Sequence, residues 1–417
     1  MLYRDVWDNV SPFSGMVYWL IDYLFGRSHL VYQIVAATVS IFQILYFNYV
    51  IRTREVFPEN NYVPGVIYAL LLNISFDLTT LSPVLMATTF LLLALGTLVK
   101  LIEKRQVTNE VFEMGLYIGI ATLFYLPASI FTLWIFASLL FYTGATFRHH
   151  LLVFFGSAFP LALFSLIFFL NDGIESVYRN LLTSVFEVKQ YDLNDFLSLL
   201  VSLFLPVLIA ALGLSRLFRH SRFSNYQSRI QQIMAIWFIV ALLTIPLMQF
   251  LSPMQFAIFF PSLAYFGTHY FQSFKRQWVA EITFLLVFVS VLFIQYQGLT
   301  GIVPGVRIGA LDNLRAKSAL LPAEITNKRI LVLGNDEGEY LNNFSATPYL
   351  NWDLASYDLE NLDNFDSVIH VYDNFRQDPP DYVIDKENIM PKLLQRVPLL
   401  QKRYKPSPWK GIYERTF

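Results

Sequence analysis

Two carboxylates and an arginine stand together near the start of the chain. The run LYRDVWDNVSPFSG places Arg4, Asp5 and Asp8 just ahead of an apolar stretch. Asp5 and Asp8 are three residues apart, so a helical turn puts them on one face. A carboxylate within hydrogen-bond reach of a hydroxyl can take its proton. An arginine can grip a phosphate through two parallel N–H bonds. A second polar group, Tyr178, Arg179, Lys189 and Tyr191, falls in the stretch 171–194 beside Asp172, Glu175, Glu187 and Asp192. The plainer alternative for both groups is charge solvated at a membrane surface. Other polar residues offer less. His149 and His150 have no carboxylate or further histidine near them in sequence, so no metal site is expected there. GNDEGEY (334–340) is neither G-x-G-x-x-G nor a P-loop. With no cysteine, thiolate metal sites and cysteine nucleophiles are excluded.

These groups need a scaffold, and composition makes it a membrane one. Of 417 residues, 55% are hydrophobic and 15% are charged. Soluble domains carry roughly 25% charge. A net charge of −1 gives no reason to expect nucleic acid as a partner. The charge is also uneven: residues 301–417 hold 30 of the 61 charged side chains. The chain therefore divides into a long apolar part and a shorter water-compatible part. The expected organisation is an outer-face loop and interfacial helix (1–28), a transmembrane helical domain (29–297) and a soluble α/β domain (298–417).

A bilayer core of about 30 Å needs roughly 20 apolar residues per helix. Ten segments qualify as candidates: 29–51, 62–79, 82–102, 110–125, 127–145, 150–170, 195–217, 232–250, 253–272 and 278–297. Pro12–Phe25 is shorter, contains Asp22, and is expected to lie in the interface. Basic clusters fall in every second loop, at Arg52/Arg54, Lys100/Lys104/Arg105, Arg148, Arg216/Arg219/Arg222/Arg229 and Lys275/Arg276. The positive-inside rule puts these in the cytoplasm. Residues 1–28, the loop 171–194 and everything after 298 then lie outside. An N-terminus on the outer side is expected to be either a short translocated terminus or the product of a further spanning helix upstream of Met1. In the last part, KRILVLG (328–334), DYVID (381–385) and WKGIYERTF read as strands. Residues 365–373 read as extended or helical. Residues 387–404 read as helix interrupted at Pro391 and Pro398. Strands and helices in alternation suggest a small α/β layer.

The run Y-R-D-V-W-D-N-x-x-P, followed by an amphipathic segment ending in Leu-Phe-Gly and then a long span, resembles the first outer loop of GT-C glycosyltransferases. The short helical hairpins at 62–102, the helix pair in GLYIGIATLFYLPASIFTLW (115–134) and the terminal soluble domain are similar to that group too. The layout also resembles bacterial envelope membrane proteins with no assigned function. The resemblance implies a mainly α, polytopic bundle that takes a sugar from a polyprenyl-phosphate carrier at the outer face of a bacterial inner membrane, with no cofactor. It implies Asp5 as the base, with Asp8 in reserve. Arg4, Arg179 and Lys189 would hold the phosphate, and Tyr178 and Tyr191 would line the groove. The sequence departs from the group in its second acidic motif. Asp77 is the nearest match but is followed by LTTLSP. Tyr125-Leu126-Pro127 also stands where a lysine often follows the glycine-containing helix. These departures leave a non-catalytic scaffold or assembly factor of an envelope complex as the alternative. Spans nearly free of central charge argue against a transporter.

Overall fold

The computed structural model describes residues 12–25, 29–54, 56–57, 61–103, 108–142, 145–170, 193–219, 224–248, 252–300, 321–334, 338–346 and 352–416. Two compact units are distinguished, one within residues 11–311 and the other including residues 312–417.

The first unit is all helix among its described residues. It contains α1 (Pro12–Phe25), α2 (His29–Thr53), α3 (Val63–Leu72), α4 (Pro83–Glu103), α5 (Thr108–Phe124) and α6 (Phe131–Tyr142). It continues with α7 (Phe147–Leu170), α8 (Leu193–Arg219), α9 (Asn225–Thr244), α10 (Phe260–Gln272) and α11 (Gln277–Thr300). Every one of the ten expected segments contains a helix. Five stretches are long and apolar enough to cross a bilayer: Leu30–Thr53, Pro83–Ile102, Phe147–Ile167, Asn225–Leu247 and Gln277–Tyr296.

Four expected spans divide into a 3₁₀ turn and an α-helix, and local chemistry explains each. Residues 232–250 end as α-helix at Thr244 and finish in the proline-containing turn Ile245–Leu247. Residues 127–145 open as the turn Leu126–Ile130 and 253–272 as Pro253–Phe259, both with proline in the first two positions. Proline lacks the N–H that would extend a helix backward. Residues 62–79 end as α-helix at Leu72 and finish in the turn Phe76–Thr79. There Asn73 donates to Ala69 O, Thr79 to Phe76 O and Thr80 to Asp77 O. Such short polar side chains compete with the helical ladder.

Packing in this unit rests on close approach and on satisfied polar groups. On α5, a Cβ added at Gly115 would lie 2.4 Å from Val153 O of α7, and one at Gly119 would lie 2.4 Å from Ser157 O. The two backbones meet because no side chain stands between them. Gln43 of α2 is fully buried. It donates to Leu85 O (2.7 Å) and Thr89 Oγ1 (2.8 Å) of α4 and accepts from the Tyr68 hydroxyl of α3 (2.9 Å). Trp134 and Trp237 pack edge to face at 4.8 Å. Their indole N–H groups donate to Ile233 O and Ile258 O. In contrast, α11 has only 11% of its spanning window buried. It exposes Trp278, Ile282, Leu285, Leu286, Val289 and Phe293, as expected of a helix that faces lipid.

The second unit is an α/β layer. Its strands are β1 (Arg329–Leu333), β2 (Phe344–Ser345), β3 (Tyr382–Asp385), β4 (Tyr404–Pro406) and β5 (Ile412–Arg415), in the order β2-β1-β3-β5-β4. β1 runs parallel to both β2 and β3, while β5 is antiparallel to β3 and β4. The register pairs Ile330 with Tyr382 and Leu333 with Asp385. Alternation then splits the side chains between two faces. Leu331, Leu333 and Val383 pack under α12 (Trp352–Glu360), α13 (Phe365–Gln377), α14 (Met390–Arg396) and α15 (Pro398–Gln401). Ile330, Val332, Ile384 and Ile412 pack on the other face with Ile325 and Tyr340.

The expected strands at 328–334 and 381–385 and the closing strand all form. Residues 365–373 are helical, capped by Asn364, whose side chain accepts from Asp366 N–H. Pro391 does not interrupt a helix: it stands in the first turn of α14, where no intrahelical donor is required. Pro398 does mark a boundary, between α14 and α15.

Candidate functional site at the end opposite the basic loops

Bonds between helix termini define the two ends of the helical unit. At one end Lys100 pairs with Glu110, Arg52 donates to the Tyr62 hydroxyl, Arg229 donates to Tyr142 O and Arg216 donates to Ser273 Oγ. This end carries the basic clusters. The opposite end is formed by α1 and the 3₁₀ turns at 76–79, 126–130 and 253–259.

Three aromatic anchors hold α1 there. The Tyr18 hydroxyl donates to Leu81 O (2.8 Å), and the Tyr32 hydroxyl donates to Tyr18 O (3.0 Å). Phe13 packs edge to face on Phe124 at 4.7 Å and on Phe164 at 5.8 Å. That contact sets the first turn of α1 against the late turns of α7. Leu170, where α7 ends, is six residues beyond Phe164, about 9 Å along a helix. The roots of the two polar segments, 1–11 and 171–192, are thereby brought to one region. The residues expected to act there, Arg4, Asp5, Asp8, Tyr178, Arg179, Lys189 and Tyr191, lie outside the described residues. Asp22 is carried on α1.

Asp77 is a buried carboxylate at this end. It lies in the turn between α3 and α4, outside both helices, and is 3% exposed. Its Oδ2 accepts the Met254 N–H at 2.9 Å. Met254 is the second residue of the turn 253–259, so Asp77 caps that turn from 177 positions away in sequence. Burial pushes its carboxyl up to about 6, and the Met254 N–H and Ser252 hydroxyl restrain the rise. Held inside and committed to a backbone donor, Asp77 ties two connecting turns together. Ser252 and Gln255 are buried beside the same turn. Sequence reasoning passed over them; their one signal was the polar punctuation of QFLSPMQF between two apolar runs.

A separate, small apolar hollow of about 20 Å³ lies between α3, α8, α10 and α11, lined by Ile67, Pro206, Ile209, Leu263, Phe271 and Phe284 among others. Its lining is apolar and it is far smaller than a ligand pocket, so it is a packing defect rather than a site. Among the described residues no three His, Asp or Glu side chains gather as a metal site.

The fold has a counterpart among solved structures. The crystal structure of ArnT from Cupriavidus metallidurans bound to undecaprenyl phosphate matches 74% of this chain with a TM-score of 0.50 and 13% identity. The match spans 58% of that chain's length. No protein-family model and no curated protein matches the sequence. At this identity the likeness shows the fold: a GT-C-like, multi-pass membrane protein with a small C-terminal sheet.

Proposed function

We propose that this protein is a membrane glycosyltransferase that moves a sugar from a polyprenyl-phosphate donor to an acceptor hydroxyl at the outer face of a bacterial inner membrane. The observation that carries this reading is the likeness in fold to a structure holding undecaprenyl phosphate. The Phe13–Phe164 contact supports it, because it gathers the roots of the two segments that bear the candidate base and candidate phosphate ligands. In this reading Asp5 takes the acceptor's proton, with Asp8 in reserve. Arg4, Arg179 and Lys189 neutralise the lipid phosphate as it leaves, and Tyr178 lines the path. The apolar surface of the bundle keeps donor and catalyst in one plane. No cofactor is required, since the phosphate carrier is itself the leaving group.

A second reading keeps the fold without the chemistry, as a scaffold within an envelope complex. The commitment of Asp77 to the Met254 N–H favours it, because the nearest match to a second acidic motif is then structural.

The test is sugar transfer by purified protein in proteoliposomes with polyprenyl-phosphate sugars, comparing wild type with Asp5→Asn and Asp8→Asn. Loss of at least 100-fold in Asp5→Asn is expected from removing a general base, whose contribution is about 10²–10⁴-fold. Wild-type transfer by that variant removes Asp5 from the role. No transfer by wild type, with a stoichiometric protein partner co-purifying, selects the scaffold.

A further inference from the structure

A carboxylate stands on the outside of the helical bundle, near the end that carries the basic clusters. Glu113 lies in the second turn of α5 and is half-buried. Tyr117, one turn further along the same face, donates its hydroxyl to Glu113 Oε1 at 2.6 Å. A third polar group arrives from another helix. α4 packs against both α2 and α5. A Cβ added at Gly96 of α4 would meet the Tyr46 hydroxyl of α2 and stand 3.1 Å from Tyr46 Cζ. The bare backbone at Gly96 therefore lets the Tyr46 ring lie across α4. This brings its hydroxyl within electrostatic reach of Glu113 and Tyr117.

The cluster is open to the membrane. Tyr46 and Tyr117 are half-buried, and Phe42, Leu45 and Tyr49 around Tyr46 on α2 are exposed. A carboxylate within a spanning helix usually faces the bundle interior and pairs there. Glu113 does neither. Among the described residues it pairs with no lysine or arginine; Lys100, one turn beyond Gly96 on α4, is held by Glu110. Tyr117 supplies one hydrogen bond, whereas a carboxylate can accept about four. The missing donors must come from the lipid side. Glu113 is five residues from the start of α5, about 8 Å along the helix, so a headgroup can reach it.

We infer that Glu113, with the Tyr46 and Tyr117 hydroxyls, binds the primary ammonium of a phospholipid headgroup, phosphatidylethanolamine, in the leaflet at the basic end of the bundle. An ammonium brings three N–H donors and a positive charge to three oxygens that accept. A trimethylammonium has the charge but no N–H to give. An anionic headgroup without an amine would meet the carboxylate. Lys100, four residues beyond Gly96, and Arg54, eight beyond Tyr46, add positive charge towards the basic end, where it favours the phosphate of the same lipid.

The experiment is native mass spectrometry of the full chain with an equimolar mixture of lipids sharing one pair of acyl chains. The lipids are phosphatidylethanolamine, its N-methyl and N,N-dimethyl forms, phosphatidylcholine and phosphatidylglycerol. On wild type, retention should fall along the methylated series as N–H donors fall from three to none. Phosphatidylethanolamine should exceed phosphatidylcholine and phosphatidylglycerol by about ten-fold. Glu113→Gln should bring all five near parity. Glu281→Gln is the control, since it removes an exposed carboxylate from the second turn of α11 and should leave the order unchanged. Thermal midpoints report whether each variant is folded. If Glu113→Gln does not fold, the methylated series on wild type still decides. Equal retention of phosphatidylethanolamine and phosphatidylcholine by wild type overturns the inference. So does an unchanged order in folded Glu113→Gln, or an equal loss of order in Glu281→Gln. A wild type without lipid preference that carries a stoichiometric membrane protein, lost in Glu113→Gln, overturns it in favour of a basic side chain of that partner.

Discussion

Adding one methyl group at Gly115 should force α5 and α7 apart. The new Cβ would stand 2.4 Å from Val153 O and 3.0 Å from Val153 Cα. A carbon and a carbonyl oxygen settle at about 3.3 Å or more, so the helices must separate by roughly 0.9 Å at that contact. The obstacle is backbone, with no rotamer to move aside, which places the cost near the top of the usual overpacking range, about 3 kcal/mol. Alanine's better helix propensity returns up to about 1 kcal/mol, leaving a net loss of about 2 kcal/mol. Gly267→Ala is the matched control. Its Cβ would meet Ile67 Cγ2 at 3.4 Å, an ordinary contact with a side chain. That variant keeps the propensity gain and pays no separation, so the two should differ by about 3 kcal/mol. The assay is equilibrium unfolding of the full chain in mixed micelles, followed by tryptophan fluorescence. Gly119→Ala should behave like Gly115→Ala, since Ser157 O and Pro160 Cδ would lie 2.4 Å and 3.0 Å from its Cβ. Combining Gly115→Ala with Gly156→Ala should cost less than the sum, because the first substitution opens the gap that the second needs. Equal stability of Gly115→Ala and Gly267→Ala would refute the close-approach argument.

Removing the Gln43 amide should leave the Tyr68 hydroxyl buried without its acceptor, so Gln43→Leu should lose about 1–3 kcal/mol in the same unfolding assay. Gln43→Leu/Tyr68→Phe should recover most of it, and no recovery would show that the amide acts through α4 instead. Asp77 carries a pH signature. Its folded carboxyl lies at about 6, above the unfolded value of roughly 3.9. The fold therefore favours the protonated form: its stabilisation is complete below the unfolded value and is lost as pH rises through 6. Wild type should gain about 2 kcal/mol relative to Asp77→Asn between pH 7 and pH 4. A difference that stays flat across that window, read from thermal midpoints in detergent, would count against it.

The helices were legible because long apolar runs have few other solutions, and α2, α4, α7 and α11 all form close to their expected limits. The 3₁₀ turns were not. Their position depends on Pro127 and Pro253 meeting a bundle that has room for a tighter coil. The expected strands announced themselves through apolar runs ending in Gly334 or Asp385. The two-residue β2 and three-residue β4 carry too little pattern to be seen and exist through the neighbours they pair with. Helix α12, whose apolar spacing is sparse, also had no clear signal. Among polar residues, Asp77 stood out by charge, but its partner Met254 is 177 positions away and is recognised through its backbone, which no side-chain pattern encodes. Gln43 was hidden as one of three amides in a 25-residue apolar helix.

The exposed character of α11 has a mechanical consequence. Its spanning window is 20 residues, about 30 Å of helix, equal to the hydrocarbon thickness of an ordinary bilayer. With most of its apolar surface uncovered by the bundle, its inclination should be governed by the match between that length and the membrane. A thinner bilayer should tilt it, while helices locked by backbone contact, such as α5 and α7, hold their angle. One helix of this protein therefore answers to lipid composition, and its orientation by polarised infrared spectroscopy should vary with acyl-chain length.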